Sequence, residues 1–309
     1  MSAPLRIGSR GSRLALWQAN WVRDRLAEAK TAAEIVIIKT AGDVEQERPL
    51  HTLEGKGFFT KEIEDALLDR RIDVAVHSLK DLPTALPPGL ALAAVPRRAD
   101  AAEALVAREQ GIASVLELPK GARVGTSSLR RVAQVRHLRP DLEVLPLRGN
   151  VPTRVNKVTS GSGPDAALLA LAGLSRLGIA DGAAVRLDPF EVMPAPAQGA
   201  LGLEIRADDS AARNALRPLE DGGSAAAVAA ERALLAALGG GCQAPVAAYT
   251  ETTVEEGREN PRLYGRVVSG DGSLALTAST PLDPADPAAA GRAVARLLSE
   301  QGALKLLAR

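Results

Sequence analysis

The first two-thirds of this chain alternates short apolar, strand-like runs with amphipathic helical ones, which restricts it to open α/β sheets with mostly parallel strands. Leu5-Arg6-Ile7-Gly8 precedes a helical pattern over 14–29, and 34–39 is a second β-like run. Residues 62–68 read as helix, followed by the buried-strand run Ile72-Asp73-Val74-Ala75-Val76-His77. Beyond Pro83, Pro87 and Pro88 come further strands, then Arg123-Val124-Gly125, a helix over 129–138, and strands over 142–147 and 166–170. Arg97-Arg98-Ala99-Asp100 and Ala195-Pro196-Ala197-Gln198-Gly199 read as crossings between two such α/β units. From about Ser224 the pattern changes to a long Ala-rich helix, Gly-punctuated strands over 263–277 and a last helix over 287–307: a small α+β third domain.

Aromatic residues make up only 2% of the 309 residues, so the cores must be built from Ala, Leu, Val and Ile. The net charge of +1 argues against a general nucleic-acid binder, and anion recognition must come from local clusters of arginine. The longest apolar stretch, 166–174, is far too short to span a membrane. With one cysteine and no export signal, the expected compartment is a reducing cytoplasm.

Those clusters sit where helices disfavour them. A cation in the first helical turn opposes the dipole by about 0.3–1 kcal/mol. Yet Ser9-Arg10-Gly11-Ser12-Arg13, Thr126-Ser127-Ser128-Leu129-Arg130-Arg131 and Arg148-Gly149-Asn150-Val151-Pro152-Thr153-Arg154 each place arginines at a strand-to-helix junction. Glycines and hydroxyls there expose backbone N–H groups beside guanidinium forks, which is how a fold makes an anion site. Three such junctions, with Arg176 in Gly173-Leu174-Ser175-Arg176, favour one shared polyanion. Carboxylates fit better than a nucleotide triphosphate, because neither a GxxxxGK[ST] loop nor a GxGxxG turn is present.

Asp81 follows a strand end in His77-Ser78-Leu79-Lys80-Asp81-Leu82-Pro83, placed to enter a crevice with Lys80 beside it, or else to cap the turn before Pro83. Gly55-Lys56-Gly57-Phe58-Phe59 reads as a Gly-hinged loop that closes over a site, or that the phenylalanines anchor to the core. His51, His77 and His137 have no ligand spacing, so a zinc site is not expected. Cys242 lies behind Gly239-Gly240-Gly241 and is either a small core residue or a reactive handle.

Taken together, Ile7-Gly8-Ser9-Arg10, Leu14-Ala15-Leu16-Trp17-Gln18-Ala19, Gly55-Lys56-Gly57, His77-Ser78-Leu79-Lys80-Asp81, Val124-Gly125-Thr126-Ser127-Ser128-Leu129-Arg130-Arg131, Leu147-Arg148-Gly149-Asn150, Gln198-Gly199-Ala200 and Gly240-Gly241-Cys242-Gln243 make the chain resemble the porphobilinogen deaminase (hydroxymethylbilane synthase) family from Leu5 to the last helix. The resemblance implies two periplasmic-binding-protein-like lobes with mixed, mostly parallel sheets and a small α+β third domain. Domain 1 would be 1–97 with 199–218, domain 2 98–198 and domain 3 219–309. It implies a monomeric transferase that uses a dipyrromethane cofactor, held by thioether to Cys242, to condense four porphobilinogen molecules with loss of ammonia and release hydroxymethylbilane.

Asp81 becomes the catalytic residue. Lys80, Thr126, Ser127, Ser128, Arg130, Arg131 and Arg154 become cofactor-binding, and Arg10, Lys56, Phe59, Arg148, Arg176 and Gln198 substrate-binding. No metal, nucleic acid or membrane is implied. Every pyrrole carries an acetate and a propionate, so a growing chain needs many guanidiniums. The rival reading is a non-enzymatic two-lobed binding protein for a small polycarboxylate, which uses the same arginines but gives Cys242 and Asp81 no work.

Overall fold

A computed structural model of the chain describes residues 3–40, 60–180, 182, 184–240, 244–255 and 257–307. Two compact units result: Met1–Ala99 with Gly199–Ala225, and Asp100–Gln198 with Ala226–Arg309. Two of the divisions fall inside the Arg97–Asp100 and Ala195–Gly199 segments. The second unit contains both the second lobe and the C-terminal sheet.

In the first unit, β1 (Leu5–Ser9), β2 (Ala33–Ile37), β3 (Val74–Ser78), β4 (Leu90–Ala94) and β10 (Leu201–Arg206) form a sheet in the order β2-β1-β3-β10-β4. β2, β1 and β3 are parallel, and β10 runs antiparallel to both its neighbours. Helix α1 (Arg13–Glu28) starts at Ser12, whose side chain accepts from the Ala15 N–H and so satisfies one orphan donor of the first turn. Its inward stripe, Ala19, Val22 and Leu26, is fully buried against Ile7, Val74, Val76 and Leu203. Each of the larger side chains contributes about 1.5–3 kcal/mol by that burial. Helix α2 (Lys61–Leu68) covers the other face through Ile63, Ala66 and Leu67, packed with Ile72 and Ala75.

The second unit repeats this plan. Strands β5 (Glu103–Ala107), β6 (Arg123–Gly125), β7 (Glu143–Leu145), β8 (Ala166–Ala170) and β9 (Val185–Arg186) form a sheet in the order β7-β6-β8-β5-β9. Again three strands are parallel and the fourth, β5, is antiparallel to its neighbours. The Leu79 N–H donates to Ala200 O in one unit and the Leu171 N–H to Ala102 O in the other, so β3 with β10 superposes in register on β8 with β5. No sequence repeat announces this duplication. Helices α3 (Leu129–Leu138), α4 (Val151–Thr159) and α5 (Leu171–Arg176) complete the lobe.

The same unit carries a meander of β11 (Val246–Glu255), β12 (Arg258–Val268) and β13 (Ala275–Pro281). It packs through Leu263, Val267 and Ala248 against α7 (Gly222–Ala237) and α8 (Pro287–Glu300). The helix expected over 287–307 is broken at Gln301–Gly302, where α8 ends and α9 (Ala303–Leu307) begins. Arg266 of β12 donates to the Phe190 and Glu191 carbonyls and to Gln134 of α3, while Arg136 of α3 donates to Gly270 O. The meander is thereby tied to the helix that carries Arg130 and Arg131.

Candidate active site

In the first unit, β3 ends at Ser78, whose hydroxyl accepts from the Gln18 side-chain amide at 2.8 Å. A single 3-10 turn, Leu79–Asp81, follows and is closed by Leu82 N–H donating to Leu79 O. Pro83 disfavours continuation of the helix through the residue before it. Leu79 is fully buried and points the turn outward, leaving Lys80 half-buried and Asp81 exposed. Gly202 on β10 makes room: a Cβ there would lie 2.6 Å from Leu79 Cδ1. Arg10 is half-buried beyond Ser9, whose own hydroxyl is fully buried and donates to backbone carbonyls, including Ala15 O at 3.1 Å. Lys56, Phe59 and Cys242 lie outside the described residues.

In the second unit, the Thr126 hydroxyl accepts from Ser128 N–H, and the Ser127 hydroxyl clamps Leu147 by donating to its carbonyl and accepting from its N–H. Ser128 occupies the N-cap of α3 without a side-chain cap bond. Arg130 and Arg131 follow at once, only 5% and 6% exposed. Both grip Glu103, a fully buried acid on β5: Arg130 Nη2 lies 2.5 Å from one oxygen, and Arg131 Nη2 2.7 Å from the other. Arg130 also donates to Met193 O, and Arg131 to Leu168 O. Glu103 thus offsets the cost of two cations in a helical first turn. Burial pushes the Arg130 guanidinium below its ordinary pKa, against the pull of Glu103.

Among the described residues, one carboxylate faces two guanidiniums in this buried group, a surplus of one formal positive charge. Such a surplus is costly without an anion nearby. The acetate and propionate side chains of a dipyrromethane are of that kind, so the residues present fit this cofactor.

The Arg148–Arg154 junction is built by its backbone. Gly149 has φ +112, Asn150 caps α4 by accepting from Thr153 N–H, and Arg154 Nε donates to Gly149 O at 2.7 Å. Arg148 and Arg154 are half-buried. Arg176 ends α5, with its pKa lowered to about 10 by burial, so it remains a cation at neutral pH. Gln198 is fully buried and its amide donates to the Ala101 and Ala102 carbonyls, which places it in the crossing segment's internal bonding.

Glu103 was not singled out by sequence reasoning, nor were Glu204 and Glu64, which join His77 in a buried polar cluster (His77 Nε2 to Glu204 Oε2 3.0 Å). The available signal was a lone acid inside an apolar strand, Ala102-Glu103-Ala104-Leu105 and Leu203-Glu204-Ile205, which requires a buried partner.

Residues 5–214 match the family profile of the porphobilinogen deaminase dipyromethane cofactor binding domain, and residues 225–300 match that of the porphobilinogen deaminase C-terminal domain. The porphobilinogen deaminase of Nocardia farcinica is 48% identical over 98% of this chain and 88% of its own length. That of Chromobacterium violaceum is 49% identical over 98% and 96%. That of Roseiflexus castenholzii is 46% identical over the full length of both chains. Among solved structures, an ancestral cationic amino acid solute binding protein matches 73% of this chain and 93% of its own at 16% identity, with a TM-score of 0.43. Matched along both its cofactor-binding and C-terminal portions, the chain belongs to the porphobilinogen deaminase family.

Proposed function

We propose that the chain is a transferase that assembles hydroxymethylbilane from four porphobilinogen molecules on a dipyrromethane joined to Cys242. When bound, the dipyrromethane supplies the pyrrole carbon on which the chain grows. The observation that carries the reading is the buried group of two guanidiniums, Arg130 and Arg131, on one carboxylate, Glu103, at a hydroxyl-lined helix start. Each guanidinium has five N–H donors. Arg131 commits three to Glu103 and Leu168 O, and so retains others for cofactor carboxylates. To the cofactor we also assign Thr126, Ser127, Ser128 and Arg154, and Lys80 of the first unit; to the incoming substrate we assign Arg10, Arg148, Arg176, Lys56, Phe59 and Gln198.

In each condensation the aminomethyl C–N bond of porphobilinogen breaks and ammonia leaves. The positive charge this creates on the substrate is stabilised by the Asp81 carboxylate, an electrostatic contribution of about several kcal/mol where water is excluded. A carbon–carbon bond then forms, and the proton it displaces leaves with the ammonia as ammonium. Asp81 accepts a hydrogen bond from the pyrrole N–H throughout. We further assign the enzyme to the cytoplasm, as a monomer. Among the described residues no helix is long and apolar enough to cross a membrane. The reading is tested by incubating purified protein with porphobilinogen: about one hydroxymethylbilane per four porphobilinogen and four ammonia supports it, and binding without ammonia release favours the non-enzymatic receptor.

A further inference from the structure

The duplicated lobes provide an internal control for one buried feature. His77 on β3 sits opposite Gly202 on β10, and Glu204 opposite Ala75, so the two side chains are diagonal neighbours on the face covered by α2. Their counterparts on β8 and β5, by the register that equates Leu79 with Leu171 and Ala200 with Ala102, are Leu169 and Val106. Those two are 3% and 0% exposed and belong to an apolar cluster with Ala104, Ala167 and Leu174. The same architecture therefore closes on an apolar pair in one lobe and on a polar pair in the other.

The polar version is not the economical one. Oε1 of Glu204 and Oε1 of Glu64 are buried with no hydrogen-bond partner, and buried polar atoms without partners oppose folding. Burial, and then the charge of Glu204, pushes the Glu64 carboxyl above its ordinary value. A ladder irregularity between β10 and β4 falls at Leu203/Glu204, a device that re-aims a side chain. One further difference separates the lobes: after β3 the chain presents Lys80-Asp81, whereas after β8 the equivalent positions are Ala172-Gly173.

We propose that His77 and Glu204, backed by Glu64, are positioning residues for the Lys80–Asp81 turn, tying the ends of β3 and β10 together for catalysis rather than for folding. The tie spans the two strands whose pairing also supplies the first bond of the turn, Leu79 N–H to Ala200 O at 3.0 Å. A hydrogen bond between His77 and Glu204 fixes the strands in direction as well as distance, which an apolar contact does not. The turn of the second lobe carries no charged side chain, and the pair at the equivalent strand positions, Leu169 and Val106, makes no side-chain hydrogen bond; the polar bridge between β5 and β8 comes instead from Arg131 of α3, which donates to Glu103 and to Leu168 O.

The test is the double variant His77→Leu/Glu204→Val, which installs the second lobe's own pair, prepared with cofactor attached alongside Glu204→Gln. Thermal unfolding within a few degrees of wild type, intact cofactor mass, a KM for porphobilinogen changed less than about threefold and a kcat lowered about tenfold or more are the expected results. Glu204→Gln, whose amide can still hydrogen-bond His77, should keep kcat closer to wild type than the double variant does. Wild-type kcat in the folded double variant overturns the proposal, and so does failure of that variant to fold, since the pair would then serve stability. The proposal rests on the deaminase reading. Wild-type holoprotein that does not consume porphobilinogen sinks that reading first, whereas active wild type with an equally active double variant sinks the proposal alone.

Discussion

Arg123 grips Asp165 as Arg6 grips Asp73: in each pair the arginine backbone N–H and Nε donate to Oδ2, and Nη2 donates to Oδ1. Each aspartate sits just before the third parallel strand of its sheet and is also met by a second arginine, Arg206 for Asp73 and Arg108 for Asp165. The duplicated lobes are thus fastened by the same device at the same place.

This fastening predicts the acid response. Burial raises the Asp73 pKa, but the Arg6 and Arg206 hydrogen bonds outweigh it and bring the group to about 2; for Asp165 the Arg123 hydrogen bonds lead, again to about 2. Folded values below the ordinary ~3.9 mean stability that is present above that pH and is lost as pH falls from about 4 through about 2. Asp73→Asn and Asp165→Asn should therefore lie well below wild type in urea midpoint at pH 7 and converge with it near pH 2. A gap that is equal at every pH contradicts the assignment.

The pairing was illegible in sequence, because Arg6 and Asp73 are separated by most of a lobe and neither residue type carries an address. Local pattern did mark β8 and α3 at their observed bounds, β8 by its apolar run and α3 by the Thr126-Ser127-Ser128 run ahead of it. β10 and β11 were not marked: β10 is set by β3 and β4, far earlier in the sequence, and Glu204 interrupts its apolar run, whereas β11 pairs with β12 directly after it and its second half, Thr250-Glu251-Thr252-Thr253, carries no apolar pattern. The arginines at helix starts were legible as violations of helix electrostatics, but Glu103, the acid that Arg130 and Arg131 grip, lies on a strand earlier in the chain.

Glu103 gives the second prediction. Glu103→Gln leaves two buried guanidiniums without their counter-charge, a loss of about 3–5 kcal/mol for a broken buried pair. Urea unfolding should show it, and intact mass should show reduced cofactor attachment. Wild-type stability with full attachment would remove Glu103 from the account.

Gly202→Ala tests the support of the Lys80–Asp81 turn. Its Cβ would lie 2.6 Å from Leu79 Cδ1 and 3.0 Å from Leu92 Cδ1. Overpacking of this kind costs about 1–3 kcal/mol. Turnover should fall further than stability alone explains, because Leu79 begins the turn that ends at Asp81; unchanged kcat in the folded variant contradicts that link.

Asp81→Asn removes the charge while keeping the shape of the side chain. Turnover should drop about a hundredfold or more with the cofactor still attached. Asp81 is exposed at the end of its turn, so the melting temperature should scarcely move. Near-normal turnover would take the catalytic role from Asp81.

Attachment of the dipyrromethane to Cys242 is read from the intact mass of the purified, denatured protein beside a Cys242→Ser variant, both made with porphobilinogen available. Added mass equal to two linked pyrrole units is expected on the wild-type chain and none on the variant. An unmodified wild-type mass would contradict it, returning Cys242 to a packing role and leaving the arginines to a non-enzymatic polycarboxylate receptor.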